Sequence, residues 1–98
     1  KYTIYNNIGA LMEKLGNYDS AVQMLEIATK LNPNNTIGFY NLGIALDKKG
    51  NFGEAIGAYE KAVELGHSKK EEIQKRIRQI KVIIANTPKY GYGFKVGG

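Results

Sequence analysis

The sequence has 98 residues, 43% of them hydrophobic and 23% charged, and it contains no cysteine. A chain this short has room for one small domain and little room for an enclosed active site. The lack of cysteine excludes a disulfide framework and a thiolate zinc site. The longest apolar run near the end, residues 82–85, is too short for a membrane span, and the first residues resemble no targeting signal. We therefore expect no membrane association and favour a cytoplasmic location.

An internal repeat organises the first two thirds of the chain. When residues 1–34 are aligned with residues 35–68, so that Asn7 falls on Asn41, identical residues coincide at nine positions, among them Gly9 with Gly43 and Gly16 with Gly50. This alignment defines a 34-residue period. Within the first copy, apolar residues follow three- and four-residue steps, which predicts two amphipathic helices: Tyr5, Ile8, Met12 and Leu15 on the first and Ala21, Val22, Leu25, Ala28 and Leu31 on the second. Each copy is therefore expected to form a helical hairpin.

The glycines of the repeat suggest close helix packing. Gly16 is expected to end the first helix with a positive φ, and Asn17 is expected to cap the second. If the two helices are antiparallel, Gly9 should face Ala21, and the two axes then come close. Glycines found only in the second copy, at 38, 53 and 57, are expected to make its hairpin less rigid.

These residues resemble the tetratricopeptide repeat pattern. The resemblance rests on residues 5–12 with Ala21, Leu25, Ala28 and Pro33, and on residues 39–46 with Ala55, Tyr59 and Ala62. It implies an all-α solenoid, a right-handed superhelix of antiparallel hairpins, with repeats at 2–35 and 36–68, a capping helix at 69–86 and a Gly/aromatic tail at 87–98. His67 stands where the family usually has proline, so the detail of that turn is expected to differ.

A basic helix is predicted after the second repeat. Ser68 followed by Glu71 has the form of a capping box, and an apolar stripe follows with Ile73, Ile77, Ile80 and Ile84. The basic residues of this segment are Lys70, Lys75, Arg76, Arg78 and Lys81. A solvated face of a terminal helix is the expected interpretation. Nucleic-acid binding through this helix and the aromatic tail is the alternative.

No residue pattern supports catalysis, a metal or a cofactor. The single histidine, His67, stands alone at a predicted turn, and no glycine-rich phosphate loop is present. Glu13 and Asp47 each precede a lysine, so solvated ion pairs with Lys14 and Lys48 are the simplest interpretation. We therefore predict a protein that is not an enzyme.

The resemblance implies binding instead, because in the family the first helix of each hairpin lines a concave groove for a partner peptide or helix. The matching positions here are Thr3, Asn6, Asn7, Ala10, Glu13, Lys14, Ile37, Tyr40, Asn41, Ile44, Asp47 and Lys48. Such a groove favours a partly apolar segment, with Lys14 and Lys48 available to an acidic side chain. Most of the family's clamp for acidic chaperone tails is missing, so that ligand is not expected. The sequence predicts a protein-interaction module, with homo-oligomer formation through the uncovered first helix as a further expectation.

Overall fold

The computed structural model describes residues 1–87 as five α-helices that pack in adjacent pairs. They are α1 (Tyr2–Lys14), α2 (Tyr18–Leu31), α3 (Thr36–Lys49), α4 (Phe52–Glu64) and α5 (Lys70–Asn86). Packing is densest within the pairs α1–α2 and α3–α4, and α3 and α5 each pack on the helix before them. The prediction of an all-α fold of helical hairpins is confirmed. The predicted tail lies outside the described residues except for Thr87.

The 34-residue register extends into α5. The helices α1, α3 and α5 begin at Tyr2, Thr36 and Lys70, and α2 and α4 begin at Tyr18 and Phe52, so equivalent helices start at the same spacing as the sequence repeat. The terminal helix therefore takes the chain position of the first helix of a third repeat. It covers α4 with Ile73, Ile77 and Ile80, which are buried as predicted, whereas Ile84 is exposed.

Three glycines end α1, α3 and α4 in the same way. Gly16, Gly50 and Gly66 have positive φ values of 82°, 92° and 87°, a conformation that glycine adopts without steric cost. The amide of the next residue then bonds to a carbonyl five residues earlier, from Asn17 to Met12 at 2.8 Å in the first turn. His67 closes the third turn in this way at 3.0 Å from the Ala62 carbonyl, whereas α2, which Pro33 follows, ends at an extended Asn32. The turn at His67 therefore differs from its counterpart before Pro33, as expected.

Two predicted side-chain caps do not form. Asn17 occupies the N-cap position of α2, but its side chain makes no capping hydrogen bond. The capping box of Ser68 and Glu71 was wrong, because α5 begins at Lys70 with Lys69 at the N-cap. The His67 ring accepts a hydrogen bond from the Lys69 amide at 2.9 Å, and this bond spans Ser68 in the turn before α5.

The repeated glycines of the hairpins do admit close packing, but under larger side chains than predicted. A methyl group on Gly9 would lie 2.5 Å from Leu25 Cγ, and one on Gly43 would lie 2.6 Å from Tyr59 Cδ1. The side chain nearest to Gly9 is that of Leu25 rather than the predicted Ala21. Leu25 is fully buried and Tyr59 is almost fully buried. These two side chains therefore lie at the centre of the packing between the two helices of their hairpins.

One face of α1 has no neighbour within the described residues. We call it the outer stripe of α1, and it consists of four exposed side chains: Ile4, Ile8, Leu11 and Leu15. Ile8 and Leu15 of the predicted apolar face are therefore exposed, in agreement with the expectation that the first helix is uncovered, and Leu31 at the end of α2 is exposed as well. Because α1 contacts only α2 and α3 in this part of the chain, no helix there covers this side.

Candidate ligand-binding groove

A cleft rich in asparagine opens between α1, the loop before α3, and α3. This asparagine cleft has a volume of about 320 Å³ and is lined by Tyr2, Thr3, Asn6, Asn7, Ala10, Asn32, Asn34, Asn35, Thr36, Ile37 and Asn41. The structure thus places six of the predicted groove residues around one concave surface: Thr3, Asn6, Asn7, Ala10, Ile37 and Asn41. Its polar lining consists mostly of carboxamides, which both donate and accept hydrogen bonds.

The Asn6 side chain is hydrogen-bonded within the fold and is not free for a ligand. Its carboxamide and that of Asn35 donate to each other at 3.0 Å in both directions, and the Asn35 oxygen also accepts from the Gly38 amide at 2.9 Å. The two asparagines are only 7% and 5% exposed. A methyl group on Gly38 would lie 2.3 Å from Asn35 Nδ2, so glycine is what leaves room for this pair. The prediction grouped Gly38 with Gly53 and Gly57 as loosening residues, but Gly38 instead packs tightly.

Asn7 and Asn41 present their carboxamides differently. They occupy the same position in successive repeats, Asn7 being exposed and Asn41 half-buried. Neither side chain hydrogen-bonds to another group within residues 1–87. Ile37, which also lines the cleft, is exposed over 58% of its surface. The asparagine cleft therefore combines two available carboxamides with an apolar contact surface.

Tyr40 and Asp47 line a second cleft, of about 220 Å³, together with Tyr59, Glu72, Ile73 and Arg76. We call it the tyrosine cleft. Tyr40 lies one helical turn after Thr36 and Ile37 of the asparagine cleft, so both clefts open on one face of α3. Sequence reasoning placed Arg76 on a solvated basic surface and did not single out Glu72 for the groove. Only the packing of α5 against α4 brings these residues to Tyr40.

Asp47 is the centre of a hydrogen-bond network in the tyrosine cleft. It accepts from Arg76 Nε and Nη2 at 2.8 Å each and from the Tyr59 hydroxyl at 2.9 Å. Burial raises the pKa of the Asp47 carboxyl, but the hydrogen bonds from Arg76 and Tyr59 outweigh it, so the pKa lies below its ordinary value. Burial, with the Asp47 charge, raises the pKa of Tyr59. The network thus holds an ionised Asp47 and joins α3, α4 and α5.

Tyr40 is packed by neighbours rather than freely presented. The His67 ring lies 4.4 Å from its centroid, the Tyr59 ring 6.3 Å, and Lys69 Nζ 5.7 Å. Burial and the Lys69 charge lower the pKa of His67, which agrees with a neutral ring that accepts the Lys69 amide. His67 is a turn residue, as predicted, and it also supports the aromatic wall of the groove.

The ion pairs of the groove join different helices. Glu13 of α1 pairs with Lys48 of α3, and Asp47 pairs with Arg76 of α5. The pairs expected from adjacent positions, with Lys14 and Lys48, were wrong because neighbouring side chains on a helix point in different directions. Lys48 is therefore already engaged, whereas Lys14 is exposed and outside the ion pairs of residues 1–87. Ile44 is half-buried against the core.

The basic residues of α5 divide into two groups. Lys70, Lys75, Arg78 and Lys81 are exposed, whereas Arg76 is bound to Asp47. Arg78 lines a third cleft, of about 380 Å³, with Glu60, Val63, Gln74 and Ile77. That cleft shares no residue with the other two, so Arg78 lies apart from the predicted groove.

Within residues 1–87, no three histidine, cysteine or acidic side chains are grouped as a metal site would require. Over the same part of the chain, none of the helices combines the length and apolar character of a membrane span. A search of curated proteins finds no match. The family model of the tetratricopeptide repeat matches residues 13–68, more than half of the chain, and this segment contains the turn after α1, both second helices and all of α3. With its helices in a 34-residue register and packed as hairpins, the chain belongs to the tetratricopeptide repeat family.

Proposed function

We propose that the chain binds an extended segment of another protein along the face of α3 on which the asparagine and tyrosine clefts open. Tetratricopeptide repeats are in general non-catalytic protein-interaction modules. The finer assignment concerns which surface is used and what it contacts. It makes this chain an adaptor or scaffold that recognises a peptide.

The observation that carries the proposal is the recurrence of Asn7 and Asn41 in one cleft. The two residues are equivalent positions of successive repeats, and both carboxamides remain available within the described part of the chain. An extended peptide presents amide and carbonyl groups at regular spacing, and a carboxamide bonds to both kinds of group. Repeated carboxamides on successive helices therefore suit a peptide backbone better than they suit a compact small molecule.

Ile37 supplies the apolar part of the contact. It is 58% exposed beside the two asparagines, and its burial by a ligand would contribute roughly 1–2 kcal/mol. Ala10 is half-buried in the same cleft and leaves space for a ligand side chain. The cleft thus favours a segment with an apolar side chain between backbone groups that hydrogen-bond.

The test selects peptide ligands from a random displayed library and compares variants for binding. Ile37→Glu and Asn41→Ala should each weaken the selected peptides, by roughly tenfold for a lost apolar contact or hydrogen bond. Val82→Glu is the matched control, because Val82 is exposed to the same 58% on α5. Tyr40 and Ile44 are less suitable positions, since both pack on the core. Equal binding by the Ile37→Glu variant and the wild type would contradict the groove assignment.

A further inference from the structure

The two groove carboxylates repeat one arrangement. Glu13 and Asp47 occupy equivalent positions of α1 and α3, and each holds a cation from the helix that begins the following repeat. Glu13 of α1 holds Lys48 of α3, and Asp47 of α3 holds Arg76 of α5. The second pair is bidentate, with two hydrogen bonds of 2.8 Å. In each case a carboxylate at one repeat position thus engages a cation from the next odd-numbered helix; Asp47 and Arg76 line the tyrosine cleft, whereas Glu13 and Lys48 belong to the predicted groove positions outside the two cleft linings.

In both ion pairs the cation is more exposed to solvent than the carboxylate. The carboxylate side chains of Glu13 and Asp47 are 12% and 10% exposed, whereas Lys48 and Arg76 are 52% and 38% exposed. A ligand therefore meets the cations first, but each cation already has a carboxylate against it. Arg76 gives Asp47 a bidentate pair, and the Lys48 ammonium gives Glu13 one of its three donors, so an incoming carboxylate meets cations whose charge is already largely compensated.

The surroundings of Arg76 oppose an anionic ligand further. Among the described residues, the tyrosine cleft contains the carboxylates of Asp47 and Glu72 but only one cation, Arg76. The asparagine cleft has no charged side chain in its described lining. In the lining of these two clefts, the groups left for a ligand are carboxamides, apolar side chains and the Glu72 carboxylate. Lys69 lies beside this lining, with Nζ 5.7 Å from the centroid of the Tyr40 ring. Lys14 is exposed on the same helix as Glu13 and is the predicted groove lysine outside this arrangement.

We propose that Glu13 and Asp47 are specificity-determining residues of the groove, which engage Lys48 and Arg76 and thereby exclude acidic segments and free terminal carboxylates. The inference rests on the proposed function, since it concerns the ligand of the same groove. The ligand class is then a neutral, partly apolar extended segment, and its binding should change little with salt because it forms few new ion pairs.

Two synthetic probes of equal length separate the possibilities. One is an acetylated, amidated octapeptide of alternating leucine and glutamine; the other has glutamate for glutamine and a free carboxyl end. Fluorescence anisotropy measures both with the wild-type chain and with Glu13→Gln, Asp47→Asn and the double variant. Glu26→Gln is the matched control, because it removes the same charge from an exposed position on α2 outside these ion pairs.

The wild type should prefer the neutral probe. Glu13→Gln and Asp47→Asn should each raise affinity for the acidic probe by roughly fivefold, the size of one partly exposed ion pair, and high salt should remove the gain. The ratio of affinities for the acidic and the neutral probe should therefore rise in both variants, whereas Glu26→Gln should leave this ratio at its wild-type value. Asp47→Asn alters the hydrogen bonds with Tyr59 and Arg76 and can lower the melting temperature measured by circular dichroism. In that case the affinity of Glu13→Gln for the acidic probe tests the proposal by itself.

The two proposals fail differently. If the variants show no gain for the acidic probe, or if the wild type binds it as well as the variants do, the role of Glu13 and Asp47 is overturned. If selected library peptides bind Ile37→Glu as well as the wild type, the groove assignment fails. A salt-sensitive gain confined to the Glu13 and Asp47 variants still supports their control over Lys48 and Arg76.

Discussion

Asn35→Ala is expected to destabilise the fold more than an alanine substitution at any other helix-capping asparagine. Asn35 is the N-cap of α3 and accepts from the Gly38 amide, while exchanging two further hydrogen bonds with Asn6. All of these bonds lie in a buried environment, since both asparagines are almost fully covered. Alanine removes the cap and leaves the Asn6 carboxamide unpaired where water has little access.

The magnitude follows from these two losses. Loss of a side-chain N-cap costs about 1 kcal/mol, and a buried polar group left without a partner costs about 1–3 kcal/mol. Together they predict a loss of about 2–4 kcal/mol, a substantial part of the roughly 5–15 kcal/mol that is usual for a folded domain. Urea unfolding followed by circular dichroism of the helices would measure the change. If the free energy of unfolding falls with urea concentration at the same slope in the variant and the wild type, the unfolded state is unaltered.

The chain supplies its own controls for this experiment. Asn17 and Asn51 stand at the N-caps of α2 and α4 but make no side-chain capping bond, so their alanine variants should change stability by no more than about 0.5 kcal/mol. Asn6→Ala and Asn35→Ala should also couple strongly in a double-mutant cycle. If all three N-cap variants lose the same stability, or if Asn6 and Asn35 prove additive, the role assigned to the buried pair is refuted.

Three further predictions concern stability and association. Gly57→Ala should raise the free energy of unfolding by about 1 kcal/mol, because the added methyl group meets open space. Gly38→Ala should lower the free energy of unfolding, because its methyl group clashes with Asn35; equal effects of the two variants in urea titrations would contradict this. The pKa of the Asp47 carboxyl is lowered in the folded chain, so on acidification the unfolded chain protonates this carboxyl at a higher pH than the folded chain does. The stabilisation from the ionised Asp47 is therefore complete above the ordinary carboxyl pKa and is lost as pH falls through the lower folded pKa. Arg76→Met should flatten the stability curve below about pH 5, and an unchanged acid limb would argue against the network. Leu11→Gln, in the outer stripe of α1, should reduce any concentration-dependent self-association seen by sedimentation, and an unaltered association constant would place the contact elsewhere.

The fold was accessible from the sequence because each hairpin repeats a local pattern. The turn glycines, the helix-spaced apolar residues and the 34-residue period all indicate the same arrangement, and the helices begin in that register. Burial was less predictable at the ends of the array. Ile8 and Leu15 have the spacing of core residues, but whether such a face is covered depends on a neighbouring helix, which no local pattern reports.

The asparagine cleft lies among the predicted groove positions, but the hydrogen bonds and ion pairs around it were not predictable from the sequence. The family pattern placed Asn41 and Ile37 beside one cleft, because groove positions follow from the helix register. The sequence pattern did not single out Asn35, since its reciprocal bonds reach Asn6, 29 residues earlier in the chain. Glu72 and Arg76 entered the site through the rotation of α5 on α4, which the 34-residue alignment alone does not specify.

The pairing of Glu13 with Lys48 and of Asp47 with Arg76 is a feature that charge counting along the sequence does not reveal. Lysines on the groove face suggest an attraction for acidic ligands, yet a charge acts through what remains uncompensated around it. Here the compensating carboxylate comes from the preceding repeat, so neither hairpin alone reveals it. We therefore expect the ligand charge preference of this chain to depend on the junctions between its repeats. Substitutions at Glu13 or Asp47 should alter that preference while leaving the carboxamides of Asn7 and Asn41 in place.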